Sequence, residues 1–255
     1  LQPVGYNRPI PILGIDRAPT VEFINAGHLD ARDANRRYSR PVLPDPSPVT
    51  EADILLLEST YGDRLHEADG DGAPLAAIVN DTVRRGGKLV IPSFAIGRVE
   101  EVIYWLRRLE DEKRIPALPV YVDSPMAAGA LRFYSARLDE LDADLGHARP
   151  GERHVCAFCT TRMTTVASPQ QSADLVASHQ PSIVIASSGM ATGGRVLRHL
   201  AATVSNERNT VMFVGYQAEG TRGRLLTDGA KAIKLLGRTY PVAVRVERID
   251  SMSAH

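Results

Sequence analysis

The sequence predicts an α/β protein built on a mainly parallel sheet. Three observations carry this. Short apolar runs of strand length alternate with longer segments of helical periodicity. Those runs are continuous rather than alternating, as in strands covered on both faces. Several end on polar or small residues, which is where an open α/β sheet holds its ligands.

The elements follow in order. "DILLLE" (53–58) is a buried strand whose apolar run stops on Glu58, and Gly62 closes the turn. "APLAAIVNDTVRRGG" (73–87) sets Leu75, Ile78, Val79 and Val83 at helical spacing before basic residues and a glycine stop. "KLVIPS" (88–93) is a strand. "RVEEVIYWLRRLEDEKR" (98–114) puts Val99, Val102, Ile103, Leu106 and Leu109 on one face of a helix. "PVYVDSP" (119–125) is a strand ending on Asp123. The stretch from about 137 to 175 is polar and patternless in its middle and reads as a surface excursion. "SIVIASSG" (182–189) and "TVMFVGY" (210–216) are strands again, and "VAVRVERID" (242–250) alternates as a half-exposed strand does.

Bulk properties bound the function. The 255 residues suffice for one large domain or two small ones. Thirty basic residues cancel thirty acidic ones, so a polyanion site must be local. No apolar stretch reaches the roughly 18 residues of a membrane span, and the start is no signal peptide, so no membrane partner is expected. The two cysteines, Cys156 and Cys159, favour a reducing cytoplasm over a disulfide framework. The chain lacks an initiator Met and ends on His255, so both ends read as cut.

Seven motifs stand in a telling order: "FINAGH" (23–28), "ADILLLESTYGDRLH" (52–66), "IPSFAIGRVEEVIYWL" (91–106), "VDSPMA" (122–127), "IASSGMATGGRVLRHL" (185–200), "VGYQAEGTRGRLL" (214–226) and "SMSAH" (251–255). Together they resemble the metallo-β-lactamase-fold nucleases of the β-CASP family. The resemblance implies a partial metallo-β-lactamase αββα sandwich, residues 1–61 and 223–255, with an inserted β-CASP α/β domain, residues 62–222. It implies zinc-dependent hydrolysis of single-stranded RNA, with two Zn2+ per site. His28 resembles the ligand of the "AGH" motif, and His255 that of "SAH", where it also acts in catalysis. Glu58 resembles the conserved acidic motif behind the metals. RNA-processing relatives carry His at the last motif where DNA-repair relatives carry Val, so RNA is the expected substrate.

Read locally, "SFAIGR" places Ser93 and Arg98 at a strand-to-helix junction, where backbone N–H groups and a guanidinium hold phosphate, or where a helix starts with a solvated Arg. "SSGMATGGR" is an anion-holding turn in which Ser187, Ser188, Gly193 and Gly194 let backbone come close, or else a glycine-rich turn. In "EGTRGR", Leu225 stands near the place of a further catalytic histidine in some eukaryotic relatives, with Arg222 and Arg224 beside it to contact RNA or face solvent. His154, Cys156 and Cys159 form an H-x-C-x-x-C cluster, read as free thiols ahead of a zinc knuckle. His66, His179 and His199 read as ordinary surface or helix residues.

Two departures from the family stand out. No H-x-H-x-D-H motif occurs anywhere in the chain. The stretch from His28 to Pro41 is too short for the family's strands before a bridging aspartate. Asp33 is the nearest candidate for that ligand, with Asp30 weaker. His28, Asp33 and His255 could hold one zinc with an open position only if they converge. Loss of part of a sheet should expose apolar faces and favour a homodimer. The alternatives are a metal-free RNA-binding or scaffold protein of the same family, and an incomplete gene product without a function of its own.

Overall fold

The computed structural model describes residues 10–11, 20–21, 42, 71–141, 145 and 156–252. His28, Asp33, Glu58 and His255 lie outside the described residues, as do the strand expected at 53–58 and His154. A two-residue pair, β1 (Ile10–Pro11) and β2 (Thr20–Val21), is antiparallel.

The elements that follow are α1 (Ala73–Arg84), β3 (Leu89–Pro92), α2 (Arg98–Asp111), β4 (Val120–Val122) and α3 (Pro125–Ser135). Next come β5 (Met163–Thr165), α4 (Pro169–Ala177), β6 (Ile183–Ala186), α5 (Val196–Thr203) and β7 (Thr210–Val214). The short helix α6 (Arg222–Thr227), a hairpin of β8 (Ala232–Leu235) and β9 (Arg238–Pro241), and β10 (Arg245–Ile249) complete the order. The central sheet is six-stranded, in the order β10-β7-β3-β6-β4-β5, and every pairing in it is parallel. No helix among the described residues is long and apolar enough to cross a membrane.

The alternation of strand side chains builds two cores. Leu89, Ile91, Val120, Val122, Ile183, Ile185, Met212 and Val214 face one side and pack with Leu75 and Val79 of α1, the Val99–Leu109 stripe of α2, and Leu131 of α3. Val90, Val184, Ala186, Val211 and Phe213 face the other side, against Leu175 of α4, Leu197 and Leu200 of α5, and the hairpin's Ile233 and Leu235. A sheet covered on both faces must be apolar at every position, hence the continuous runs.

The two ends of the stretch around 137–175 hold regular elements, while residues 142–144 and 146–155 in its middle lie outside the described residues. These elements are a 3₁₀ turn (Leu138–Glu140), β5 and α4. β5 is an edge strand whose Thr164 and Thr165 are exposed, so it has no apolar run. The start of α4 is a capping box: Ser168 accepts from the Gln171 N–H, Gln171 accepts from the Ser168 N–H, and Pro169 takes the first helical position. In the same region Cys156 and Cys159 are joined as a disulfide, not left as the free thiols expected from composition. A separation of three residues in a turn places the two sulfurs side by side, which overall cysteine usage does not report.

Candidate functional site

The sheet topology points to one place. β3 and β6 are neighbours, with Leu89 opposite Ile183. The connection leaving β3 runs through α2 toward β4, while that leaving β6 runs through α5 toward β7, on the other side of β3. Right-handed crossovers in opposite directions put α2 and α5 on opposite faces, as the two cores show. Between the carboxyl ends of β3 and β6 the chain therefore parts, and a crevice at this switch point is where open parallel sheets bind ligands.

Residues 93–97 and 187–195 form its two lips. The Ser93 N–H donates to the Ala186 carbonyl at 3.0 Å, which carries the pairing one residue past the strands. Ser93 itself is fully buried, its Oγ near the Phe94 carbonyl at 3.2 Å. The Phe94 ring is 39% exposed and lies against Gly189, where a Cβ would come within 2.9 Å of it. Ile96 is exposed beside it, and Arg98 opens α2 with only 2% of its surface accessible. Of the two readings of Arg98, phosphate contact or solvated helix start, its burial rules out the solvated one.

The second lip is a turn closed by Ser188. Its Oγ accepts the N–H of Thr192 at 3.1 Å and of Gly193 at 3.2 Å. These two N–H groups therefore hold the turn, leaving those of Gly194 and Arg195 with no acceptor among the described residues. Gly194 has φ +73°, and a Cβ on it would meet the Ser187 carbonyl oxygen at 2.4 Å. Gly194→Ala should cost about 1–3 kcal/mol through left-handed strain and this clash. Thermal melts of the two chains check it: an unchanged midpoint would mean that the loop relaxes freely.

Behind the lips lies a charged cluster. Asp123, directly after β4, is fully buried. Its Oδ2 accepts from Ser172 Oγ at 2.6 Å and from His199 Nε2 at 2.7 Å, and its Oδ1 accepts from Arg195 Nη1 at 2.7 Å. Burial alone would push the carboxyl up, but the hydrogen bonds from His199, Ser172 and Arg195, and the charge of His199, hold it down at about 2. His199, read from sequence as an ordinary helix residue, is 1% exposed. The local signal was the spacing Arg195 to His199, one helical turn apart on one face. Nothing local marks Ser172.

Arg224, on α6, is half-buried and forms a pair with Asp228 through Nε at 2.9 and 2.8 Å. Its neighbour Arg222 donates to the carbonyls of Lys234 and Thr192, tying the hairpin to the second lip. Gln217, from the loop after β7, donates to the Gly189 carbonyl at 3.3 Å. At the amino ends of the strands Arg85 is spent on the carbonyls of Glu207, Arg208 and Asn209 at 2.6 to 3.2 Å, an internal brace and not a ligand site.

The described residues do not fit a zinc centre. Among them no three His, Cys, Asp or Glu side chains come together for a metal. The His199–Asp123 pair has a guanidinium on its carboxylate, where a cation would be repelled.

Residues 99–226 match the Beta-Casp domain family. The chain is 34% identical over 218 residues to the ribonuclease TTHA0252 of Thermus thermophilus, covering 85% of this chain and 49% of that protein. It is 30% identical over 253 residues to an RNase J-like protein of Methanocaldococcus jannaschii, covering 92% and 57%. It is 33% identical over 227 residues to the transcription termination factor FttA of Pyrococcus abyssi, covering 85% and 34%. The chain thus spans between a third and about three fifths of these relatives.

Proposed function

Because the chain belongs to the β-CASP family, we propose that it is the RNA-holding part of a metal-dependent ribonuclease acting in the cytoplasm on single-stranded RNA. The observation that carries this reading is the topological switch point at the carboxyl ends of the neighbouring strands β3 and β6. Single strands are held by cationic groups along the backbone and by aromatic faces against the bases. Here the glycine-lined turn of Ser188, Gly193 and Gly194 stands opposite the exposed ring of Phe94. Arg224 extends the basic rim, while the buried Ser93 and Arg98 shape the first lip and Arg98 contributes charge from inside. Relatives named as ribonucleases support RNA as the substrate.

The hydrolytic half of the reading rests on the family resemblance. His28, Asp33 and His255 are the proposed zinc ligands, and Glu58 and His255 the proposed catalytic pair. Zinc, where bound, would supply an activated hydroxide for attack on phosphorus. The division into residues 62–222 and the flanking 1–61 with 223–255 belongs to the same proposal, although β10 hydrogen-bonds to β7, so one sheet spans that boundary.

Zinc content of the purified 255-residue chain, with cleavage of an end-labelled single-stranded RNA with and without chelator, tests this. Bound zinc and chelator-sensitive cleavage are expected. RNA binding with neither zinc nor cleavage would put the metal-free scaffold in its place.

A further inference from the structure

We propose that Arg195 is a phosphate-binding residue of the crevice and that Asp123, Ser172 and His199 are the positioning residues that hold its guanidinium in place. The inference rests on the RNA reading above and adds a residue and a device to it.

A buried carboxylate needs donors and a counter-charge. Asp123 has donors in Ser172 and His199, both on Oδ2, and both are themselves buried. Arg195 adds the charge through a single contact, Nη1 to Oδ1. A guanidinium carries five N–H donors, and among the described residues only this one meets an acceptor. The Arg195 side chain keeps 20% of its surface open while its partner keeps none. An arginine kept only to neutralise Asp123 would be enclosed with its other donors satisfied. This one stays partly open, in the loop that forms the second lip.

The arrangement suits a phosphate oxygen anion. Arginine binds phosphate through two parallel N–H groups, and a fork already fixed loses less freedom on binding. Asp123 holds one nitrogen and so sets the plane of the others. Ser172 and His199 keep the carboxylate from turning to follow the arginine, since both grip the oxygen that Arg195 does not use. Lysine at the same position would keep the charge without the geometry.

The test uses the 255-residue chain and a fluorescent single-stranded oligouridylate, with binding read by anisotropy over a salt series from about 50 to about 200 mM. Each phosphate contact on a single strand adds about 0.7 to the slope of log K against log salt. Arg195→Met should lower that slope by about 0.7 and weaken binding about tenfold at the low-salt end. Arg195→Lys should keep the slope and weaken binding several-fold. Ser172→Ala, which leaves every charge in place, should also keep the slope and weaken binding several-fold. Arg195→Met that folds and binds with unchanged slope overturns the proposal while leaving the RNA reading intact. Should that variant fail to fold, Arg195→Lys or Ser172→Ala binding as tightly as the parent chain overturns it instead. A parent chain that does not bind the oligonucleotide overturns both.

Discussion

Asp123→Asn is expected to lower stability at neutral pH by about 2.5 kcal/mol, and the loss should fade in acid. The Asp123 carboxyl sits at about 2 in the folded chain against an ordinary 3.8, and each unit is worth about 1.4 kcal/mol. A depressed folded value means that the contribution is complete above the unfolded value, near pH 4, and is lost as pH falls through about 2. Asparagine also turns a donor toward one of three donors, Arg195, His199 or Ser172, so a geometric loss adds to this one and does not fade in acid. Urea unfolding of both chains at neutral pH and at several points below pH 4 separates the two parts. A difference that stays constant across that range would assign the whole effect to geometry and none to charge.

Glu100→Gln should act in the opposite direction. Glu100 lies in the first turn of α2 with no exposed surface. Neither of its oxygens has a hydrogen-bond partner among the described residues. Burial is the main cause that pushes its carboxyl up to about 7; the backbone N–H groups of Glu100 and Gly97 pull it down without meeting it in hydrogen-bond geometry. The folded state therefore keeps a proton that the unfolded chain gives up near pH 4.5. Stability is complete below that value and is lost as pH rises through about 7. Glutamine mimics the protonated form at every pH. The variant should match the parent near pH 4.5 and exceed it by about 3 kcal/mol at pH 8. Melting temperatures taken across that interval decide the matter; parallel curves would show that Glu100 does not titrate there.

Both carboxylates illustrate how unevenly a sequence discloses a structure. The sequence marks Asp123 as a strand end, because Val120 to Val122 form an apolar run that stops there. It marks Glu100 only as one of two acids in a helix's first turn, where such charges commonly face water. Whether a helical side chain is enclosed depends on what packs over it. Glu100 is buried because α2 is nearly surrounded, with Arg98, Glu101 and Arg107 buried on it as well. The burial of Arg98 was illegible for the same reason that Glu100 escaped notice.

The boundaries of β3, β4, β6 and β7 and of α1 and α2 were legible to within a few residues, because apolar period and turn chemistry act over windows of ten or so residues. β5 was not, since an edge strand needs no apolar run. The order β10-β7-β3-β6-β4-β5 follows from which faces of which strands bury together, a property of the assembled chain. So does the site behind the lips. Ser172, Arg195 and His199 lie 49, 72 and 76 positions from Asp123 and meet it only because β4 and β6 are neighbours in the sheet. Local pattern specifies the pieces through side-chain period and backbone preference; the meeting of one buried charge with three distant donors is specified by packing, which no short window of sequence contains.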